Sequence, residues 1–124
     1  MGEIDWLKSA RGTEYAKEPL IGLSNPEDQL AIYHGLEELT SYPLNNLLKS
    51  ETVKPLGKKK KGPMLYELRV RQYRIAFIIW NKVYGMIHFF KKQKDKQKND
   101  VALARKRVDL MIAQIEVNNN SLSR

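Results

Sequence analysis

The residues able to do chemistry in this sequence are cations. The stretch YELRVRQYRIAFIIW, residues 66–80, is rich in strand formers yet carries Arg69, Arg71 and Arg74 within six positions. An unpaired guanidinium is very costly to bury, so these side chains must face water or something negative. Lys58, Lys59, Lys60 and Lys61 precede them, and Lys91, Lys92, Lys94, Lys96 and Lys98 follow. Arginine forks and lysine point charges together suit phosphate oxygens. Other chemistries have little to work with. The chain has no cysteine, which excludes disulfides and Cys-ligated metal. Its two histidines, His34 and His88, are scattered, so a Ser/His/Asp arrangement has thin support. The run GKKKKG lacks the spacing of a phosphate-binding glycine loop.

The net charge of +8 is unevenly spread. Residues 1–53 hold four Lys/Arg against nine Asp/Glu, residues 54–107 hold seventeen against three, and residues 108–124 hold one against two. Nearly all the positive charge therefore lies in one block, the footprint of a polyanionic partner, most simply nucleic acid. The 124 residues suit one domain, expected over residues 1–117 with a disordered tail at 118–124. Mean hydropathy is −0.54. No apolar run approaches the roughly 18 residues of a membrane span, and the first residues lack a signal-peptide core. The expectation is a cytoplasmic chain that does not enter a membrane.

The elements that must position these cations follow from periodicity. Glu3 to Lys8 alternates polar and apolar and predicts a short strand. A weak helix follows around Pro19, then a clearer one from Asn25, an N-cap with Pro26 at the first helical position and Glu27 and Asp28 at the positive end of the dipole. Its apolar stripe is read as Leu30, Tyr33, Leu36 or Glu37, and Leu39 or Thr40, and Pro43 ends it. Residues 44–63 read as a linker with a helical turn at Leu44 to Leu48. Three strands come next, Met64 to Val70, Tyr73 to Trp80 and Val83 to Phe90, joined by two-residue links into an antiparallel meander. Val101, Ala104, Val108, Met111, Ile112 and Ile115 recur at helical spacing in a last helix capped by Asn99 or Asp100. The prediction is an α+β domain: an antiparallel β-sheet of the N-terminal strand plus the meander, two N-terminal helices and a C-terminal helix.

Alternation along the first meander strand puts Tyr66, Leu68 and Val70 on an apolar face and Leu65, Glu67 and Arg69 on a largely charged one. Across the hairpin Arg74 meets Arg69 or Arg71, a repulsion an anion would relieve. The end of the third strand lies beside the start of the second, which draws Lys91 and Lys92 toward Arg74, with Tyr73 and His88 nearby. His88 is read on one face with Met86 and Phe90, and His34 as a structural residue of its helix.

The succession LYELRV, YRIAFII, IHFFKK and LARKRVDLM, with the early ARGTEYAKEPLIGL, resembles the phage-derived, HigB-type branch of the RelE/ParE toxin superfamily over roughly residues 3–113. The resemblance implies a RelE/ParE-like fold, a toxin held by a neighbouring helix-turn-helix antitoxin, and cleavage of mRNA in the ribosomal A site without metal or organic cofactor. Motif by motif, the tyrosine-arginine pair falls on Arg74, the basic pair closing the last strand on Lys91 and Lys92, and the arginine after glutamate-leucine on Arg69. Some relatives act through a C-terminal tyrosine, and Val101 stands about where it would be. A gyrase-poisoning branch shares the fold without the nuclease. The alternatives are thus a gyrase inhibitor or a phage RNA-binding regulator.

In the nuclease reading the RNA's own 2′-OH attacks the adjacent phosphate. Arg74 stabilises the developing charge and Lys91 or Lys92 transfers the proton. Arg69, Arg71, Lys94 and the Lys58 to Lys61 run (Lys58, Lys59, Lys60 and Lys61) hold flanking phosphates, and Tyr73 offers a ring for base stacking. Acid–base residues this weak would make cleavage depend on the ribosome to order the substrate.

Overall fold

Helices and strands come in separate runs along the chain in a computed structural model that describes residues 2–58, 61–93 and 97–122. The order is β1 (Glu3–Trp6), α1 (Lys17–Ile21), α2 (Pro26–Ser41), α3 (Leu44–Lys49), β2 (Val53–Gly57), β3 (Leu65–Val70), β4 (Tyr73–Trp80), β5 (Val83–Lys91), α4 (Gln97–Lys106) and α5 (Val108–Leu122). The fold is α+β. One five-stranded sheet runs in the spatial order β1-β5-β4-β3-β2. Its sheet is mixed, where an antiparallel one was expected: β1 pairs parallel to β5, and the other pairs are antiparallel. The reason is the path of the chain, which leaves β1, lays α1 to α3 across one face, returns at the far edge as β2, and meanders back until β5 lies against β1.

Both faces of the sheet are covered. Ala16, Leu20, Ile32, Leu36, Leu39 and Leu47 pack on Leu68, Ile75, Phe77 and Met86. On the other side Ala104, Val108, Met111 and Ile115 pack on Leu65, Ala76, Ile78, Ile87 and Phe90. Cover on both sides explains why the whole run Tyr73 to Ile78 is buried. Two glycines let helices approach. A Cβ at Gly85 would stand 2.5 Å from Met111 Cγ, and one at Gly35 would stand 2.7 Å from Val70 Cγ2. The Asn81-Lys82 link has both residues at positive φ, 51° and 65°, matching the twist of a tight hairpin.

The cap of α2 forms as its sequence implies, with Asn25 Oδ1 accepting from the Glu27 amide at 2.9 Å. Its buried stripe is shifted, however: Ile32, Gly35, Leu36 and Leu39 face the sheet, while Leu30 and Tyr33 are 59% and 43% exposed. The region expected to be a linker contains β2, whose Val53 is buried and pairs with Leu68. Pro55 fits there because β2 is an edge strand and its amide is not needed for a further ladder. The final helix is two, broken at Arg107. The second continues to Leu122 rather than fraying at residue 118, and Asn118 Nδ2 donates to Asp5 Oδ2 at 2.8 Å. Gln114 Nε2 donates to the Trp6 carbonyl at 2.8 Å, so β1 is tied to α5 by side chains as well as by packing. Among the described residues no helix is long and apolar enough to cross a membrane.

Candidate functional site

The meander brings the separated cations to one end of the sheet. Arg69 pairs in register with Arg74, Arg74 with Phe90, and Tyr73 with Lys91. The Lys92 amide extends the ladder by donating to the Gln72 carbonyl at 2.7 Å. Sequence reasoning located this meeting, but the side chains divide between two faces and several play other parts than expected.

Arg74 is off the surface, with 4% of its area exposed. Its Nη1 donates to the carbonyls of Arg71 and Tyr73, both at 2.8 Å, and its Nε lies 3.9 Å from Glu67 Oε1. Burial, then Arg69 alongside, pulls the guanidinium below its ordinary value, and Glu67 pulls it back. Arg74 therefore braces the hairpin and partners a buried carboxylate instead of meeting substrate. The expected charged face is covered because α4 lies over it: Arg105 Nη2 reaches the Leu56 carbonyl of β2 at 2.6 Å, while Asp100 reaches β5. Glu67 is 2% exposed, and its Oε2 and Arg74 Nε are closed off without hydrogen-bond partners.

Tyr73 and Arg71 turn to the opposite face, toward α2. Tyr73 Oη donates to Asp28 Oδ2 at 3.1 Å, and Arg71 Nη1 lies 2.8 Å from Asp28 Oδ1. The Tyr73 ring is buried and stacks on Phe89 at 5.4 Å between centroids, so it is unavailable to a nucleobase. Burial and the Asp28 carboxylate both hold its phenol above the usual range. Arg71 is half exposed but already neutralised. Asp28, read from sequence only as a helix-dipole acid, is the clamp for both.

Arg69 is half-buried and has no ion-pair partner among the described residues. It lines a shallow hollow at the β2 edge with Lys54, Glu51, Val53, Pro55 and Leu48. Lys58, Lys61, Lys91 and Lys92 are all exposed. Side chains alternate along a strand, so Lys91 belongs with Tyr73 on the α2 face and Lys92 with Arg74 on the α4 face. Lys59, Lys60 and Lys94 lie outside the described residues. His34, expected to be structural, is exposed beside Glu27, Leu30, Ala31 and Arg71.

The feature that sequence reasoning missed is an ionisable pair. His88 Nε2 and Asp100 Oδ1 are 2.8 Å apart, joining β5 to the first turn of α4. A bulge between Ala76 and Phe77 turns Met86 to the α1–α3 face and His88 to the α4 face with Phe90, on which its ring stacks at 5.6 Å. His88 thus does not share a face with Met86. Alternation could not show this, because one extra residue flips every side chain beyond it.

No family model matches the chain, and no curated protein does either. The site is accordingly read from its own geometry. Among the described residues no three His, Asp or Glu side chains gather as a metal site requires.

Proposed function

We propose that the chain is a toxin of the HigB-type branch of the RelE/ParE superfamily and that it inhibits translation by cutting mRNA, without a metal, through attack of the RNA's own 2′-OH. The observation that carries this reading is the convergence of Arg69, Lys92 and Lys91 at one sheet end, with Arg69 facing a like charge across the strand pair; the exposed Lys58 and Lys61 lie at the opposite end of β3. Glu67 lies beside Arg74 and can offset only one of the two opposed arginines, which leaves the charge of Arg69 for an anion from outside. With Arg74 serving as a brace, Arg69 takes the part of stabilising the phosphorane, and the lysines hold the strand on either side. The hollow beside Arg69, walled by Leu48, Val53 and Pro55, would seat a flanking nucleotide.

The partner in this reading is a helix-turn-helix antitoxin. Its grip falls on the N-terminal helices, where Ile21, Leu30, Tyr33 and Tyr42 are exposed large apolar residues among acidic neighbours. Buried apolar anchors carry most of an interface's energy, while rim charges act mainly on the rate of association.

The test is cleavage of end-labelled RNA by the purified chain, alone and on programmed ribosomes, in chelator. The expected products carry a 2′,3′-cyclic phosphate and a 5′-OH. RNA left intact in both settings, or cut to leave a 3′-OH, would refute the reading.

A further inference from the structure

We propose that the face around Arg105, at the far end of β3 from Arg69, is a second RNA-binding surface, which grips the backbone of RNA that is not being cut; the inference rests on the reading above only in taking RNA as the polyanion. Lys58 and Lys61 of the GKKKKG run are exposed and lie away from the Arg69 end. Gly57 pairs with Leu65, four residues along β3 from Arg69, a separation of about 13 Å between Cα atoms. The lysines stand instead beside the end of α4. Arg105 and Lys58 line one hollow, together with Gly57, Gly62, Pro63 and Asp109. Arg105 also lines a second, open hollow of about 460 Å³ along α4, with Lys98, Val101 and Ala102. The two hollows meet at the Arg105 side chain.

The cations here are left for an anion from outside. Lys98, Ala102 and Arg105 recur at i, i+4 and i+7, so α4 presents them along one side. Arg105 is half-buried and held in place: its Nη2 donates to the Leu56 carbonyl at 2.6 Å, and the Gly57 backbone comes so near that a Cβ there would stand 3.5 Å from Nη2. A carbonyl orients a guanidinium without neutralising it. The Nε is closed off, so the donors left to an incoming group are on the two Nη atoms. Lys58, Lys61, Lys98 and Arg105 take part in no ion pair among the described residues. Asp109 is the carboxylate at the rim of the first hollow, exposed and opposing an anion's approach.

One fixed fork among exposed lysines suits a row of phosphates, where it gives affinity and register without reading sequence. Val101 and Ala102 offer an apolar floor for a ribose. An acidic protein segment would be drawn by the same charge, but it would find no anchor: Val101 is half-buried, Ala102 is small, and interfaces between proteins draw most of their energy from large buried side chains. Ala104 and Leu65 are buried where α4 covers the sheet between the two basic ends. The RNA held at Arg105 is therefore a different stretch from the phosphate at Arg69, and holding it docks the chain on a structured RNA before a strand reaches Arg69.

Arg105 also ties α4 to β2, so the test must separate binding from folding. Affinity for a single-stranded 2′-O-methyl RNA, which has no free 2′-OH and cannot be cut, is measured over a salt series, with urea unfolding alongside. Lys58→Ala/Lys61→Ala should flatten the salt slope by about 1.4, at about 0.7 for each lysine. Lys8→Gln/Arg11→Gln removes the same charge from exposed positions after β1 and should change the slope less than half as much. Asp109→Asn should tighten binding about two- to fivefold at low salt, a gain that no structural role supplies. Arg105→Lys keeps the charge but loses the fork, and should weaken binding per folded molecule about fivefold, the worth of one hydrogen bond; if it does not fold, the lysine and Asp109 variants decide. A wild-type slope in the lysine variant, an equal flattening in the Lys8/Arg11 control, or an Asp109→Asn that binds no tighter overturns the inference. So does polyglutamate that binds as tightly with the same losses, since the occupant is then an acidic protein segment. These outcomes leave the cleavage test untouched, because it reads the ends of cut RNA. A chain that shows the expected shifts and cuts no RNA refutes the ribonuclease reading and leaves this surface standing.

Discussion

Arg74→Met separates a brace from a catalyst. The substitution keeps much of the buried stem and removes the guanidinium, which is 4% exposed and donates two hydrogen bonds of 2.8 Å to the Arg71 and Tyr73 carbonyls. It also leaves Glu67, 2% exposed, with no cation in reach among the described side-chain ion pairs. Removing one partner of a buried pair costs about 3–5 kcal/mol. The 3.9 Å separation and the two unpartnered atoms make this a loose pair, which places the expected cost near the lower bound, about 3 kcal/mol. For a chain of 124 residues that is a sixth to a half of a total near 6–18 kcal/mol, taking roughly 0.05–0.15 kcal/mol per residue. Glu67→Gln removes the stranded charge, so the double variant should lose less than the sum of the two singles, by about 1–2 kcal/mol. Urea unfolding with an unchanged m value measures all four corners of the cycle. The cleavage rate of Arg74→Met, corrected for the folded fraction, should fall far less than that of Arg69→Ala. A single-variant cost below about 1 kcal/mol, or strict additivity, would mean that the pair does not brace the hairpin.

Three further outcomes are expected. The raised phenol of Tyr73 means that the native state keeps its proton above about pH 10, where the unfolded chain has lost it; stability is full below that pH and declines above it, and urea midpoints on either side should show a smaller decline in Tyr73→Phe. Replacing the exposed Lys58, Lys61, Lys91 and Lys92 by alanine should flatten the salt dependence of RNA binding by up to about 0.7 in slope per lysine lost, read from affinities over a salt series. Gly85→Ala should cost about 1–3 kcal/mol by driving a methyl into Met111, visible as a lowered Tm with RNA affinity per folded molecule unchanged.

Periodicity resolved the meander because β3, β4 and β5 follow one another through two-residue links, and local pattern suffices for local pairing. It missed β2, because Pro55 and Gly57 read as linker residues when considered without the edge position that tolerates them. It misjudged α2, where Leu30 and Tyr33 have the right spacing for a core stripe and Ile32, Leu36 and Leu39 have it equally well. Which stripe faces the sheet is decided by contacts distant in sequence. The parallel pairing of β1 with β5 is of the same kind, since residues about 80 positions apart meet only after three helices and three strands have been laid down. In the site, residue type pointed to the sheet end but not to the second helical layer. A face that looked solvated because it held Glu67 and Arg69 lies beneath α4, and the His88–Asp100 pair spans an element boundary that no period crosses.

The three arginines of residues 69–74 show how one chemical type is spent in three ways by position alone. Arg71, at φ 55° in the hairpin, leans to α2 and is matched by Asp28. Arg74, one strand position inside, is matched by Glu67 and by the carbonyls of the same hairpin. Both acids are thereby occupied in structure. Arg69 pairs across the strands with Arg74 and takes no carboxylate of its own among the described residues. Lys92 follows on the same face at that end of the sheet. Two arginines are thus matched internally and the third is not, so in the proposed reading Arg69 is the fork left to meet a polyanion, while the exposed lysines would add attraction without direction.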